Sequence, residues 1–211
     1  GDRTPGSPPS AASSARPDRP VTRVALIGLG TMGAPLARNL LAAGHELVGC
    51  DVEPSRPKEL GVTAAATPAE AAAGAEVTLL SLPSPAAVEE VALGEDGVAA
   101  GAAPGSVLVD MSTSPPALAR ELAARLGERR VDVLDAPVSG GPHGAAAATL
   151  TIMVGGPAEV FERVRPLLAA LGRLIVHVGG HGAGQAAKLC NNLIAGVTMA
   201  ALAEACAVAE R

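Results

Sequence analysis

The chain has 211 residues and a mass of 20.7 kDa, enough for one domain of about 150 residues and a remainder. Its 48% hydrophobic and 18% charged residues exclude intrinsic disorder for most of the chain. A formal net charge of -5 opposes nucleic-acid binding, and Phe161 is the one aromatic residue on which a base could stack. We therefore expect a globular protein that binds no nucleic acid.

The sequence carries no recognisable address to a membrane or an oxidising compartment. Residues 1–20 are rich in proline and serine, which predicts a disordered tail rather than a signal or transit peptide. The most apolar stretch covers 193–203, 11 residues that are too few to cross a membrane. Cys50, Cys190 and Cys206 lie in apolar runs without C-x-x-C spacing, which predicts buried thiols. We expect a cytoplasmic protein that does not associate with membranes.

From Val21 onward, short apolar runs alternate with alanine-rich amphipathic segments. This alternation is typical of βαβ units and predicts an α/β fold with a mostly parallel sheet. The predicted strands cover 23–28, 46–50, 76–82, 106–110, 131–135, 150–154 and 174–178, and the predicted helices cover 32–43, 67–73, 85–92, 115–127 and 157–171.

Local signals define the ends of several helices. Thr67, Pro68 and Glu70 fit an N-cap, a first-turn proline and a capping-box partner. Gly44 and Gly74 each follow a predicted helix and provide its C-terminal stop.

The last segment, 181–211, predicts one long helix. Its roughly 30 residues from 182 onward contain no proline and would form a helix about 45 Å long. Apolar and small residues occur nearly all round this helix, which indicates neighbours on every side. We expect that a helical domain following it is absent from this chain or supplied by a partner, and that the protein is a homo-oligomer.

A glycine-rich turn follows the first predicted strand. Gly28, Gly30 and Gly33 have the G-x-G-x-x-G spacing, between a strand and a helix. The first glycine permits a tight turn, the second a close approach of the backbone to a pyrophosphate, and the third close packing of helix on strand. We expect residues 28–33 to bind a dinucleotide, a set that consists of Gly28, Leu29, Gly30, Thr31, Met32 and Gly33.

Asp51 ends the second predicted strand, 18 positions after Gly33, where an acid binds the adenosine ribose in such motifs. Its charge would repel a 2′-phosphate and favours NAD. Arg56 and Lys58 lie close enough to leave NADP open.

Two later motifs have the residue types of a substrate site. The segment 135–141 (DAPVSGG) follows a strand and offers a hydroxyl and open amides as donors for a carboxylate. Lys188 and Asn192 lie four residues apart on one face of the final helix, among apolar neighbours. Burial would lower the pKa of this lysine and suit it to proton transfer, although a surface lysine is the alternative.

Taken together, the motifs GLGTMG, LP, DMSTSP, DAPVSGG and GAGQAAKLCNN resemble the β-hydroxyacid dehydrogenase family over residues 21–211. The resemblance implies a Rossmann-type, doubly wound domain over 21–180, then the start of a long interdomain helix leading to an all-helical domain. It also implies NAD-dependent interconversion of a small 3-hydroxy acid, such as 3-hydroxyisobutyrate, and its semialdehyde.

The resemblance also implies roles for single residues. Lys188 would be the catalytic general acid and base. Substrate would be bound by Ser139, Gly140, Gly141, Asn191 and Asn192, and the dinucleotide also by Leu82, Pro83, Ser112 and Thr113.

Some features keep alternatives open. Ala148 stands where the family usually has glycine, and His143 where it usually has a small residue, so the substrate is undetermined. An NADP-linked tartronate or succinic semialdehyde reductase and a non-catalytic dinucleotide-binding module are the alternatives. His177 and His181 are separated by a predicted strand end and a glycine loop, so we expect no metal site.

Overall fold

Consecutive residues of the first strand point to opposite faces of a central sheet, and both faces are covered. The computed structural model describes residues 22–209. Val24 and Leu26 belong to one buried cluster together with Leu36. Ala25 lies in a second cluster together with Leu122. Because both faces are buried, the strands have nearly continuous apolar runs rather than an alternating pattern.

The strands are β1 (Arg23–Ile27), β2 (Glu46–Cys50), β3 (Thr63–Ala64), β4 (Val77–Leu80), β5 (Val107–Asp110), β6 (Asp132–Asp135), β7 (Val138–Ser139), β8 (Leu150–Gly155) and β9 (Gly172–Gly179). The helices are α1 (Gly33–Ala42), α2 (Arg56–Glu59), α3 (Pro68–Ala72), α4 (Pro85–Leu93), α5 (Val98–Gly101), α6 (Pro116–Gly127), α7 (Gly141–Ala146), α8 (Ala158–Leu168) and α9 (Ala183–Ala209).

The sheet has the order β3-β2-β1-β4-β5-β6-β8-β7, with β9 paired to β8. All pairs are parallel except β6 with β8 and β7 with β8. The strand order reverses at β1, which has β2 on one side and β4 on the other. This confirms the predicted α/β, Rossmann-type, doubly wound and mostly parallel sheet.

The register aligns the carboxyl ends of the central strands. Ile27 pairs with Leu80, Leu80 with Asp110, and Asp110 with Asp135. Ligands of open parallel sheets bind at this edge, beside the point where the strand order reverses.

Every predicted strand and helix has a counterpart in the structure. Five observed elements were not predicted: α2, α5, α7, β3 and β7. They contain two to six residues each, which is too short for a periodic apolar pattern.

The predicted ends of α3 are confirmed with one difference. Thr67 Oγ1 accepts a hydrogen bond from the Glu70 N–H at 3.1 Å, as an N-cap should. The Glu70 carboxylate accepts from the N–H of Ala66 at 2.7 Å, one residue before the N-cap. Gly44 and Gly74 have φ of 90° and 75°, the left-handed conformation of helix C-terminal stops.

Only the start of α9 is buried. The helix has 27 residues, and from Leu189 to Ala209 its residues are exposed. Cys190 and Cys206 are therefore exposed, and the expectation of three buried thiols is correct for Cys50 alone. That expectation assumed a partner for every apolar run, and nothing within 22–209 covers this one. The predicted tail over 1–20 lies outside the described residues.

By length and composition, α9 could cross a bilayer. Its most apolar 18-residue stretch has a mean hydropathy of 1.6, and none of that stretch is buried. The prediction from the 11-residue run underestimated the apolar length of this helix. The small and amide residues on either side of that run do not interrupt its apolar character. A helix that packs against a further domain would pass the same test, so it is weak evidence for a membrane.

We predict that Thr67→Ala lowers the free energy of unfolding by about 1 kcal/mol, because the first turn of α3 loses its cap. Urea denaturation measures this change. The matched control is Thr63→Ala, which removes an exposed hydroxyl in β3. Equal stability of the two variants would contradict the capping role.

Candidate functional site

The turn after β1 has room for glycine alone at two positions. Gly28 has φ of 90°, and a Cβ there would collide with the Ser81 carbonyl oxygen. A Cβ on Gly33 would collide with the Gly28 carbonyl oxygen. At Gly30, by contrast, the nearest atom to an added Cβ is Arg56 Nη1 at 3.6 Å. The turn is therefore packed against the sheet on one side and leaves the Gly30 backbone open to a ligand.

A cleft of about 580 Å³ lies at this turn. It brings together eight of the predicted cofactor residues, namely Gly28, Gly30, Thr31, Met32, Asp51, Leu82, Pro83 and Ser112. The other three do not line it: Leu29 and Gly33 are buried beneath the turn, and Thr113 is exposed next to Ser112.

Asp51 is held rigidly at one end of the cleft, with its side chain 4% exposed. Its carboxylate accepts hydrogen bonds from the N–H groups of Leu29 at 2.6 Å and Glu53 at 2.9 Å. The Arg56 guanidinium lies 3.0 Å from Oδ1. Burial opposes ionisation, but these hydrogen bonds and the Arg56 charge together lower the pKa of Asp51. Asp51 is thus a fixed negative charge with a cation beside it.

These residues fit a dinucleotide. An open backbone at Gly30 and the N-terminal end of α1 suit a pyrophosphate, because N–H groups at a helix start attract anions. Asp51 offers a carboxylate for ribose hydroxyls at the end of β2.

The opposite wall of the cleft is fixed by a serine. Ser112 Oγ accepts a hydrogen bond from the Leu82 N–H at 2.9 Å, so the loops after β4 and β5 are joined. The Ser112 N–H donates to Asp110 Oδ1 at 2.9 Å.

Two buried carboxylates stand next to each other at the ends of β5 and β6. Burial raises the pKa of Asp110 to about 6; hydrogen bonds from Ser112 and Ser114 oppose this effect, and the charge of Asp135 adds to it. Asp135 accepts hydrogen bonds from the N–H groups of Gly182 at 2.7 Å and Gln185 at 2.9 Å. Asp135 therefore binds the start of α9 to the edge of the sheet where the cleft lies.

Lys188 lies one turn into α9. Its side chain is half-buried, and burial lowers its pKa. Asn191 and Asn192, one turn further, are exposed. These three residues do not line the 580 Å³ cleft, which covers the side of the site nearer β1 and β2.

The predicted substrate loop follows β6. Ser139 is half-buried in β7, and Gly140 and Gly141, at the start of α7, have positive φ of 131° and 61°. Ala148 has φ of 53°, a left-handed conformation that favours glycine. This accounts for the usual glycine at this position and indicates local strain beside the loop. His143 is exposed on α7.

Both histidines near the start of α9 contact carbonyl oxygens. His177 Nε2 lies 2.8 Å from the Gly156 oxygen, with its ring stacked on Phe161. His181 Nε2 lies 3.0 Å from the Val133 oxygen. Among residues 22–209, no cluster of three potential metal ligands occurs.

Comparison with known proteins agrees with this geometry. Residues 23–180 match the family described as the NAD binding domain of 6-phosphogluconate dehydrogenase. Over 191 residues the chain is 46% identical to 3-hydroxyisobutyrate dehydrogenase of Pseudomonas aeruginosa, covering 89% of this chain and 64% of the relative. The chain belongs to the β-hydroxyacid dehydrogenase family.

Two further relatives support this assignment. An NAD-dependent L-serine dehydrogenase of Pseudomonas aeruginosa is 48% identical over 189 residues, which cover 88% of this chain and 63% of the relative. The structure of Mycobacterium tuberculosis 3-hydroxyisobutyrate dehydrogenase with L-serine has a TM-score of 0.85 at 41% identity, covering 90% of this chain and 65% of that one. The chain thus spans slightly less than two thirds of these relatives. Family membership confirms the predicted NAD-type cofactor, with NADP still open.

Three buried polar residues beside the cleft were not among the predicted site residues. Asp110, Ser114 and Gln185 form a buried hydrogen-bonded group, and Gln185 is 71 residues from Ser114 in the sequence. The one available signal was polar residues inside the motifs DMSTSP and GAGQ, at places where apolar residues would pack equally well.

We predict that wild-type protein gains stability relative to Asp110→Asn as the pH falls. The folded pKa of Asp110 is raised from 3.8 to about 6, so its contribution is complete below pH 4 and is lost as pH rises through 6. Between pH 7 and pH 4.5 the difference in unfolding free energy should change by about 2 kcal/mol. Urea denaturation at both pH values tests this, and an unchanged difference would disprove a neutral buried Asp110.

Proposed function

We propose that this chain provides the dinucleotide site and the catalytic lysine of an NAD-dependent dehydrogenase for a small 3-hydroxy acid. The observation that carries the proposal is the placement of Lys188. Asp135 binds the start of α9 to the sheet edge that also carries the Gly28 turn. Three strand spacings, about 14 Å, separate the ends of β1 and β6, so an extended dinucleotide can reach from one to the other.

Lys188 is suited to move a proton at the substrate hydroxyl. Because burial lowers its pKa, a neutral amine is accessible closer to physiological pH than for an exposed lysine. Bound nicotinamide supplies the hydride acceptor or donor. In oxidation, the Lys188 amine takes the hydroxyl proton as hydride leaves the carbinol carbon, and a carbonyl forms. In reduction, the ammonium returns that proton to the oxygen.

The loop after β6 is suited to hold the substrate carboxylate. Ser139 offers a hydroxyl, and Gly140 and Gly141 offer amides that no side chain shields. We assign Asn191 and Asn192, on the exposed side of α9 after Lys188, to the substrate hydroxyl and carboxylate. Closure around substrate would bring these groups together with Lys188.

The names of the relatives support one class of substrate. 3-Hydroxyisobutyrate and L-serine both carry a primary hydroxyl on the carbon next to the one that bears the carboxylate. We therefore propose substrates of the form HOCH₂–CHR–COO⁻, with 3-hydroxyisobutyrate first. An NADP-linked reductase of tartronate semialdehyde, whose product has this same form, or of succinic semialdehyde, whose product does not, is the second candidate, because Ala148 and His143 alter the substrate loop.

We further propose that the whole protein continues from α9 into an all-helical domain, that it is a homo-oligomer, and that it acts in the cytoplasm. The support for the further domain and the oligomer is the exposed apolar side of α9, which needs a partner, and the greater length of the relatives. The three free cysteines fit a reducing compartment such as the cytoplasm.

We predict that Lys188→Ala lowers kcat of the whole protein by at least about a hundredfold, because a general acid and base is lost. Affinity for NADH should stay within about threefold, since Lys188 does not line the cleft. Lys58→Ala is the matched control, as Lys58 is exposed and is the one other lysine of the chain. Turnover of Lys188→Ala within a few-fold of wild type would overturn the mechanism. A wild-type protein that binds NADH but turns over no member of a panel of 3-hydroxy acids with NAD⁺ or NADP⁺ would favour a non-catalytic module.

Cofactor preference gives a separate prediction. The Asp51 carboxylate repels a 2′-phosphate, so this chain should bind NADH at least about tenfold more tightly than NADPH. Arg56→Ala should widen that ratio, because the cation that lines this end of the cleft beside Asp51 is removed. Calorimetric titration measures both ligands, with Arg173→Ala on the exposed face of β9 as control. A preference for NADPH, or a ratio that narrows in Arg56→Ala, would contradict it.

A further inference from the structure

Gln185 is a fully buried amide with a partner for each of its polar atoms. Its Oε1 accepts a hydrogen bond from the Ser114 N–H at 2.9 Å. Its Nε2 donates to the Ser112 carbonyl oxygen at 2.9 Å and lies 3.5 Å from Asp110 Oδ2. Its own backbone N–H donates to Asp135. One residue of α9 thus holds the loop after β5 and the end of β6 at the same time.

The loop that Gln185 holds is also a wall of the dinucleotide cleft. Ser112 lines that cleft and accepts a hydrogen bond from Leu82. Ser112 therefore joins two groups, the Leu82 backbone at the cleft and the Gln185 amide on α9. The first turn of α9 is thus held beside the cofactor wall.

Lys188 stands three residues after Gln185. Residues i and i+3 of a helix lie on the same face, with Cβ atoms about 5–6 Å apart. The helix rotation that places Gln185 against the loop at 112–114 therefore also directs Lys188 toward that loop. Lys188 is half-buried, whereas the residues of α9 beyond it are exposed.

We propose that Gln185 is a positioning residue for Lys188: its amide fixes the rotation and depth of the first turn of α9 against the cofactor wall. The inference rests on the proposed function, because it assigns Gln185 a role that acts through the lysine. Gln185 itself touches neither substrate nor cofactor. Asp135 binds only backbone N–H groups at the helix end, whereas the Gln185 side chain adds a contact between this turn and the loop after β5.

The decisive variant is Gln185→Met in the whole protein, which keeps an unbranched side chain of similar length and removes both amide hydrogen bonds. With saturating NAD⁺ and a saturating 3-hydroxy acid, kcat should fall by at least about tenfold, because a misplacement of 1 Å can cost about a hundredfold. The Kd for NADH should stay within about threefold of wild type, because Ser112 still holds Leu82.

Ser106→Ala is the matched control for a lost buried hydrogen bond. Ser106 lies before the opposite end of β5 and donates to the Ala103 carbonyl oxygen at 2.7 Å. It should lose stability with unchanged kcat. A merely structural role of Gln185 predicts the same pattern for Gln185→Met, with stability lost and kcat within about twofold of wild type, and that result would overturn the proposal.

If Gln185→Met does not fold, Gln185→Asn takes its place with saturating NAD⁺, which stabilises the folded state. Its amide is one methylene shorter and cannot reach both the Ser114 N–H and the Ser112 carbonyl oxygen, so kcat should still fall. Full turnover in this variant would also overturn the proposal. An active Lys188→Ala would disprove the proposed function itself. An inactive Lys188→Ala beside a fully active Gln185→Met would disprove only the positioning role.

Discussion

The two hydrogen bonds from the start of α9 to Asp135 determine where the chain leaves the sheet. Asp135 is completely buried at the end of β6, and its oxygens accept from the N–H groups of Gly182 and Gln185. The first N–H groups of a helix have no partners within the helix, and the helix dipole favours a negative charge beside them. The same contact gives a buried carboxylate its partners and places the next turn, with Lys188, at the ligand-binding edge.

The remaining parts of the site are separate solutions to the same problem of placing polar groups at that edge. On one side of the strand reversal, the glycine turn and Asp51 provide an open backbone and a fixed charge. On the other side lie the loop after β5 and α9. The helix carries Lys188, which is half-buried and has a pKa lowered by that burial. Ser112 is hydrogen-bonded both to Leu82 at the cleft and to Gln185 on α9. The buried group of Asp110 and Gln185 therefore adjoins both sides of the site.

Local patterns were sufficient to predict the glycine turn, the position of Asp51 directly after β2 and the order of the main elements. Each of these depends on residues near each other in sequence, such as the strand before Gly28. The buried group could not be predicted, because Gln185 finds its partners more than 70 residues away. The ion pair of Arg56 with Asp51 was also missed, since its helix has four residues and no periodic signal. The exposure of most of α9 escaped prediction because an apolar helix has the same composition whether or not it is covered.

The crowding around Asp135 limits how this chain can change over time. A Cβ on Gly155 would lie 2.6 Å from Asp135 Oδ1, and one on Gly184 would lie 2.9 Å from Oδ2. A side chain at either glycine would displace the Asp135 carboxylate. Replacing Asp135 itself would leave the buried N–H groups of Gly182 and Gln185 without their acceptor. Gly155, Gly184 and Asp135 therefore constrain one another, and a substitution at any one of them alone should be destabilising. The substrate loop and the surface residues are free of this constraint.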